Sequence, residues 1–244
     1  MARDGSGAAG LRRRKLVSKA NAIAYTRTMR SARANQQSNK RETARRHLRK
    51  DPVLARLIAN YPDFDPRAWL AELPKLNAFG ALIFQVAGQQ LSISATRAII
   101  ERLRKLFRGK MPSPRQLLAA RPARLRKAGF SGRKVATLRA LAQKFVRERL
   151  TLAKLNTLTD EEITALLTTV PGIGTWTVQG FLIIALDRGD VVLPGDLALR
   201  RAIRQAYALD HLPSPDEVVE LSQAWRPYRS LATAYLFRSA FEGT

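Results

Sequence analysis

Cysteine is absent from this chain of 244 residues. That excludes disulfides, thiolate nucleophiles, thiolate-bound zinc and iron–sulfur clusters. Histidine is nearly as scarce: His47 and His211 are the only two. They show no ligand spacing, so a histidine-rich metal site is excluded as well. No apolar run approaches the roughly 20 residues needed to span a bilayer. The N-terminus is positive but lacks an apolar stretch followed by a cleavage site, so it does not read as a secretory signal. Its arginine-rich, acid-poor composition would also suit an organelle transit peptide, although a solvated basic arm is the simpler reading. Acids are short too, with 19 Asp and Glu against 43 Lys and Arg, for a formal net charge of +24. That balance, with a pI near 11.5, favours a polyanionic partner: DNA or RNA first, an acidic membrane surface second.

The charge is unevenly spread. Residues 1–50 carry 15 Lys and Arg against only Asp4 and Glu42, whereas the remainder holds 28 basic and 17 acidic residues. Removing the tail would therefore leave a basic body. Hydrophobic content of 45% excludes wholesale disorder, and the length suits one large domain or two lobes sharing a core. Residues 1–40 have little apolar periodicity and read as a mobile arm that can become helical near DNA.

From Glu42 onward the pattern is helical. Asp51 is placed to cap a helix that begins at Pro52, and Pro62, Pro66 and Pro74 then punctuate a helix-and-loop stretch through Trp69. Residues 79–107 fit two helices with a break at Gln89–Leu91, since the apolar positions follow helical faces better than strand alternation. Ser113 caps a short helix, a second short helix ends at Gly129, and residues 131–149 form a basic amphipathic helix. Thr159 and Glu162 have capping-box spacing. Further helices follow over 176–186, from about Leu197 to Tyr207, and in the two stretches SPDEVVELSQAW and RSLATAYLFRSAF. Val191–Leu193 is the only short β-branched run, too brief for a sheet. The fold class is all-α.

Two features in the segment 160–199 can carry chemistry. The first is the hairpin Val170-Pro171-Gly172-Ile173-Gly174-Thr175 between two apolar helices. Gly172 and Gly174 permit backbone angles that other residues resist and leave the main chain open to a ligand. Thr175 begins a helix whose first N–H groups lack helical partners and carry the positive dipole end, which suits a phosphate oxygen. An ordinary helix corner with a glycine cap would look the same locally. The second feature is Asp196, set behind Pro194-Gly195. It suits a helix N-cap, and equally a fixed carboxylate that stabilises positive charge building on an anomeric carbon and positions a water.

Five ordered blocks, GQQLSISA (88–95), AGFSGRKVATLRALAQKF (128–145), VPGIGTWTVQ (170–179), DVVLPGDLALRRA (190–202) and WRPYRSLATAYLFR (225–238), carry a family resemblance. In order and spacing, from about residue 45 to the end, the chain resembles the helix-hairpin-helix (HhH-GPD) DNA glycosylases of the 3-methyladenine DNA glycosylase II branch. The resemblance implies that Asp196 is the catalytic aspartate. Trp176 stands where lyase-active relatives have a Schiff-base lysine, which an indole cannot replace, so the implied enzyme is monofunctional. Gln90 falls at the residue that wedges into the gap left by the extruded base; otherwise it is a polar helix-break residue. Trp176 and Phe237 fall at base-pocket aromatics, although familiar members have tryptophan at 237 and the bacterial prototype has an aromatic where this chain has Gly180. Without the resemblance, Phe237 and Trp69 read as core.

The family also holds phosphate at Gly172, Ile173, Gly174 and Thr175, and its hairpin can bind a structural Na+ or K+ through backbone carbonyls, here Thr168, Val170 and Ile173. No cofactor or catalytic metal is implied. The implied architecture is a flexible arm over 1–44 and a two-lobed glycosylase domain over 45–244, with lobe one at 76–187, lobe two at 45–75 plus 188–244, and Asp196 at the cleft between them. Arg133, Lys134, Arg139 and Lys144 either track the DNA backbone or line a solvated face, and Arg229 and Arg238 either pair with acids or contact phosphates. The expected activity is hydrolysis of the N-glycosidic bond of alkylated purines, of the 3-methyladenine and 7-methylguanine type, by base flipping in duplex DNA. Two alternatives stand beside it: a same-fold glycosylase for hypoxanthine or uracil, and a non-catalytic DNA-binding protein. The expected protein is a monomer without membrane association, cytoplasmic and near the nucleoid in a bacterium or nuclear in a eukaryote.

Overall fold

A computed structural model describes residues 36, 38–68, 70 and 76–241. Trp69, Pro74 and most of the basic arm lie outside the described residues. Residues up to Lys50 and those from Asp51 onward form separate units. In the first, helix α1 covers 38–48, and Arg49 pairs with Glu42 at 2.9 Å.

The second unit contains α2 (Pro52–Asn60), α3 (Ala78–Gly88), α4 (Ile93–Leu106), α5 (Pro114–Ala119), α6 (Pro122–Lys127), α7 (Gly132–Arg147) and α8 (Leu152–Asn156). It continues with α9 (Asp160–Thr168), α10 (Thr175–Ala185), α11 (Leu197–Ala206), α12 (Pro215–Leu221), a 3-10 turn (Ser222–Trp225) and α13 (Arg229–Phe241). No strand occurs among the described residues, so the chain is all-α.

Most helices start where a side chain can satisfy an orphan N–H. Asp51 Oδ1 accepts from Val53 and Leu54 at 2.9 and 3.1 Å, and Ser92 and Ser131 cap α4 and α7. Ser113, Thr159 and Ser214 complete capping boxes with Gln116, Glu162 and Glu217. Such a cap contributes about 1 kcal/mol. α8 was not anticipated. Its five residues are too few to show a period, although Thr151 caps it at 3.1 Å.

The core is organised by α3. Its sequence AFGALIFQVAG contains one polar side chain, Gln85, and so has no face suited to water. Ala78 through Ala87 are all buried, with α4, α7 and α10 packed around them. Phe79 meets Phe145 of α7 with ring centroids 5.2 Å apart. Each large side chain buried this way contributes about 1.5–3 kcal/mol. A second buried group lies on α2, α11, α12 and α13 and includes Leu54, Ile58, Ile203, Trp225, Tyr235 and Leu236.

Many cations close helix C-termini, where carbonyls lack partners and the dipole is negative. Arg67 donates to Ile183 and Ile184 of α10, Arg102 to Ala128 after α6, and Arg56 to Ala206 of α11. Arg139 donates to Leu118 and Ala120 at the end of α5, and Lys154 to Glu148 after α7.

Ahead of α12, His211 contacts Asp210 through Nδ1 at 2.7 Å and Glu217 through Nε2 at 2.8 Å. Hydrogen bonds and charge from these two acids raise the His211 pKa above its ordinary 6.5. The stability from this pairing is therefore fully present below pH 6.5 and lost as pH rises through the raised value. An NMR titration should place His211 above 6.5; a midpoint at or below it would contradict the pairing.

Candidate active site

The hairpin between α9 and α10 folds back on itself through two short bonds, Val170 N–H to Leu167 O at 3.1 Å and Ile173 N–H to Val170 O at 3.0 Å. Gly172 has φ +87°, a conformation costly for a residue with a Cβ. It also lies against Thr137 of α7. A Cβ at 172 would collide with Thr137 Oγ1 and come within 3.3 Å of its Cβ and Cγ2. Glycine is thus required here twice over.

Gly174 differs from the expectation in its backbone angles alone. Its φ of −100° and ψ of 174° are ordinary extended values open to any residue, and a Cβ would meet nothing within 4 Å. What it contributes is open space in front of the main chain. No side chain caps α10, and no described residue accepts from the N–H groups of Gly174, Thr175 or Trp176. Three donors without a described acceptor at a positive helix end have the chemistry that suits an anion. Of the carbonyls expected to hold a cation, that of Val170 accepts from Ile173, and those of Thr168 and Ile173 meet no described donor. No cluster of metal-binding side chains occurs among the described residues.

At the second residue of α10, the acid comes into play. Trp176 Nε1 donates to Asp196 Oδ2 at 2.7 Å, while Asp196 Oδ1 accepts from Leu199 N–H at 2.9 Å. Asp196 is therefore the N-cap of α11 and the partner of Trp176 at once. Each carboxylate oxygen has one fixed donor, and the half-buried side chain keeps lone pairs for more.

The loop that delivers Asp196 is tied to the start of α13. Arg229 Nε meets Asp190 Oδ1 at 2.7 Å, and Ser230 Oγ accepts from Val191 N–H at 3.0 Å and donates to Arg188 O at 2.7 Å. Burial raises the Asp190 pKa, but hydrogen bonds and charge from Arg229 and then Arg226 outweigh it and hold the group below its usual value. Arg229 is thus engaged in an ion pair with Asp190. Arg238 lies over the Tyr61 ring at 5.4 Å.

Gln90 occupies the tip of the turn between α3 and α4, exposed and with φ +58°. The turn is held from both sides. Gln89 Nε2 donates to Gly172 O and Thr177 Oγ1, each at 3.0 Å, which fixes the turn to the hairpin. Lys134 Nζ donates to Ala87 O and Gln89 O, each at 2.8 Å. Burial at that spot lowers the Lys134 pKa from its usual range.

The basic helix α7 is therefore less available to a backbone than its composition implied. Lys134 and Arg139 point into the protein, and Lys144 pairs with Glu148 at 3.0 Å. Of the four expected cations, Arg133 is the one on the exposed surface. Phe237 lies on α13, half-buried. At Gly180, where an aromatic was expected to be missing, the space is taken by the side chain of Gln85. Gln85 did not stand out in the sequence, Gln89 did so only as the start of the helix break, and Lys134 only as a cation for the DNA backbone or a solvated face. The repeated glutamine in GQQ was the one available hint, and it did not separate the two roles.

Residues 83–227 match the model of the HhH-GPD superfamily base excision DNA repair protein. The chain is 31% identical over 190 residues to DNA-3-methyladenine glycosylase 1 of Schizosaccharomyces pombe, covering 77% of this chain and 80% of that one. Over 164 residues it is 33% identical to the DNA-3-methyladenine glycosylase of Saccharomyces cerevisiae, covering 63% of this chain but only 55% of the relative. The solved structure of S. pombe 3-methyladenine DNA glycosylase in complex with abasic DNA superposes with a TM-score of 0.75 at 31% identity, over 81% of this chain and 96% of that one.

The two hairpin glycines should respond differently to alanine. Gly172→Ala is expected to cost at least about 1–2 kcal/mol from the left-handed backbone, lowering Tm by about 3–8 °C. Gly174→Ala should leave Tm within about 1 °C. Thermal unfolding of both variants tests this, and equal shifts would contradict the geometry.

Proposed function

The chain belongs to the HhH-GPD superfamily of base excision DNA repair proteins, and from that membership we propose that it is a monofunctional DNA glycosylase. It hydrolyses the N-glycosidic bond of alkylated purines in duplex DNA and acts as a monomer. The observation that carries this reading is the Trp176–Asp196 hydrogen bond of 2.7 Å, made by a residue whose backbone N–H is itself one of the open amides of the hairpin. A phosphate grip and an oriented carboxylate are thereby built on one helix end.

The chemistry follows from these parts. The hairpin amides of Gly174, Thr175 and Trp176 hold a backbone phosphate, and the projecting Gln90 fills the gap when the damaged base leaves the stack. Extruding a base costs a few kcal/mol, least for a weakened pair. Purines alkylated at N3 or N7 are cationic, stack well on the electron-rich faces of Trp176 and Phe237, and become neutral on departure. When the glycosidic bond breaks, its electron pair leaves with the base and positive charge builds on the sugar. Asp196, already oriented by two donors, stabilises that charge with little rearrangement. It also positions the water whose oxygen bonds to the anomeric carbon, and its carboxylate takes up the proton that this water gives up.

No lysine takes the place of Trp176, and Lys134 is occupied by two carbonyls. This supports hydrolysis without strand cleavage. Wild-type protein treated with borohydride during turnover is expected to give no trapped enzyme–DNA adduct. Efficient trapping would sink the monofunctional assignment.

Asp196→Asn tests the central claim. Asparagine is as good an N-cap as aspartate, so Tm should move by no more than about 2 °C and affinity for duplex DNA by no more than about threefold. Single-turnover excision of 7-methylguanine should fall by about 100-fold or more. Full activity in this variant would remove Asp196 from the chemistry, and tight DNA binding by a wild-type protein that releases no base would favour a purely DNA-binding role.

A further inference from the structure

Gln85 is an anomaly in α3. It is the only polar side chain in a helix enclosed by apolar neighbours, and it is itself only 6% exposed. A buried amide without hydrogen bonds costs free energy, yet no described residue bonds to this one. Its two polar atoms are nevertheless not sealed off from solvent. A leucine would serve the core better, so packing does not account for glutamine here.

The position of the amide is set by Gly180. A Cβ at 180 would come within 2.5 Å of Gln85 Oε1, 2.8 Å of Cδ and 2.9 Å of Nε2. Gly180 therefore makes the room that the amide fills. Gln85 and Gln89 lie four residues apart on α3, and Trp176 and Gly180 four apart on α10, so each pair shares one helix face. Gln89 already crosses to α10 at Thr177. The free amide thus stands beside α10 on the face that carries Trp176, one turn along the helix from the indole that holds Asp196.

The geometry points to Gln85 as a specificity residue that hydrogen-bonds the edge of the extruded base, an inference that rests on the glycosylase reading above. A glutamine amide presents a donor next to an acceptor and can pair side by side with a base edge that offers the complement, as glutamine does with adenine in duplex readout. The ligand class is a neutral purine with adjacent donor and acceptor, of which the N1–H and O6 of hypoxanthine are an example. A cationic alkylpurine neutralises itself on leaving and depends less on such contacts. A neutral base has no such drive, so excising it leans on the hydrogen bonds the site supplies.

The test is single-turnover excision of hypoxanthine and of 7-methylguanine from otherwise identical duplexes, by the full chain. The readout is the ratio of the two rates. Gln85→Met keeps the side-chain length but cannot pair with a base edge, and it should lower the hypoxanthine to 7-methylguanine ratio by about 10- to 100-fold. Gly180→Ala leaves Gln85 in the chain but pushes a methyl group into the place of its amide, and should lower the ratio in the same direction. An unchanged ratio in both variants overturns the assignment, as does a wild-type protein that releases 7-methylguanine but ignores hypoxanthine. A wild-type protein that releases neither base overturns the glycosylase reading, and the role of Gln85 with it.

Discussion

The need to surround α3 on every side organises this protein. A helix with one polar side chain in eleven residues is stable only when other helices cover its whole circumference, and α4, α7 and α10 do so. Its C-terminus then ends half-buried, and its last carbonyls need partners. Lys134 meets that need by donating to Ala87 and Gln89. With the backbone pinned there, the next residues can turn sharply, and Gln90 takes a left-handed conformation at an exposed tip. The projecting residue is thus a consequence of how a buried helix is brought to an end.

The same constraint changes the meaning of the charge. A net +24 reads as a surface for a polyanion, and nucleic-acid binding remains the best account of the excess. Yet Arg56, Arg67, Arg102, Lys134, Arg139 and Lys154 each close the end of a helix, and Arg229 holds the loop ahead of Asp196. An all-α chain with many short helices has many C-termini to satisfy, and long cationic side chains are suited to reaching them. Composition counts charges without showing where their heads point. Of the basic stripe on α7, Arg133 faces outward while Lys134, Arg139 and Lys144 are engaged within the protein.

What could be read from the sequence divides along the same line. Helix starts were legible because capping is local: Asp51, Ser113 and Thr159 lie within three residues of the groups they bond. Gly172 and Asp196 were legible for the same reason. The break between α3 and α4 could be placed from the pattern, but the partners that hold it could not, because Gln89 reaches 83 and 88 residues along the chain. At Gly174 the expectation of open space agrees with the structure and that of a special backbone angle does not, since a glycine chosen for open space looks identical in sequence to one chosen for backbone angle. Gly180 first read as a missing ring. In the structure it is the space that Gln85 occupies, a pairing of residues 95 apart with no local signature.

The double engagement of Asp196 looks at first like a handicap for a catalytic acid. Hydrogen bonds from Leu199 N–H and Trp176 Nε1 draw charge from both oxygens and weaken what the carboxylate can offer a developing cation. The compensating gain is preorganisation. A carboxylate free to rotate in water must be reoriented and stripped of solvent during the reaction, whereas one fixed by a helix cap and an indole has met that cost on folding. Coupling adds a second gain. Trp176 belongs to the same helix end as the open amides of Gly174 and Thr175, so in the proposed function a phosphate held there and the acid are linked through the first two residues of α10. An error in the grip is passed to the acid by a rigid helix end rather than through a flexible loop. In the proposed function the working unit is therefore the start of α10, with Asp196 as the group that it aims.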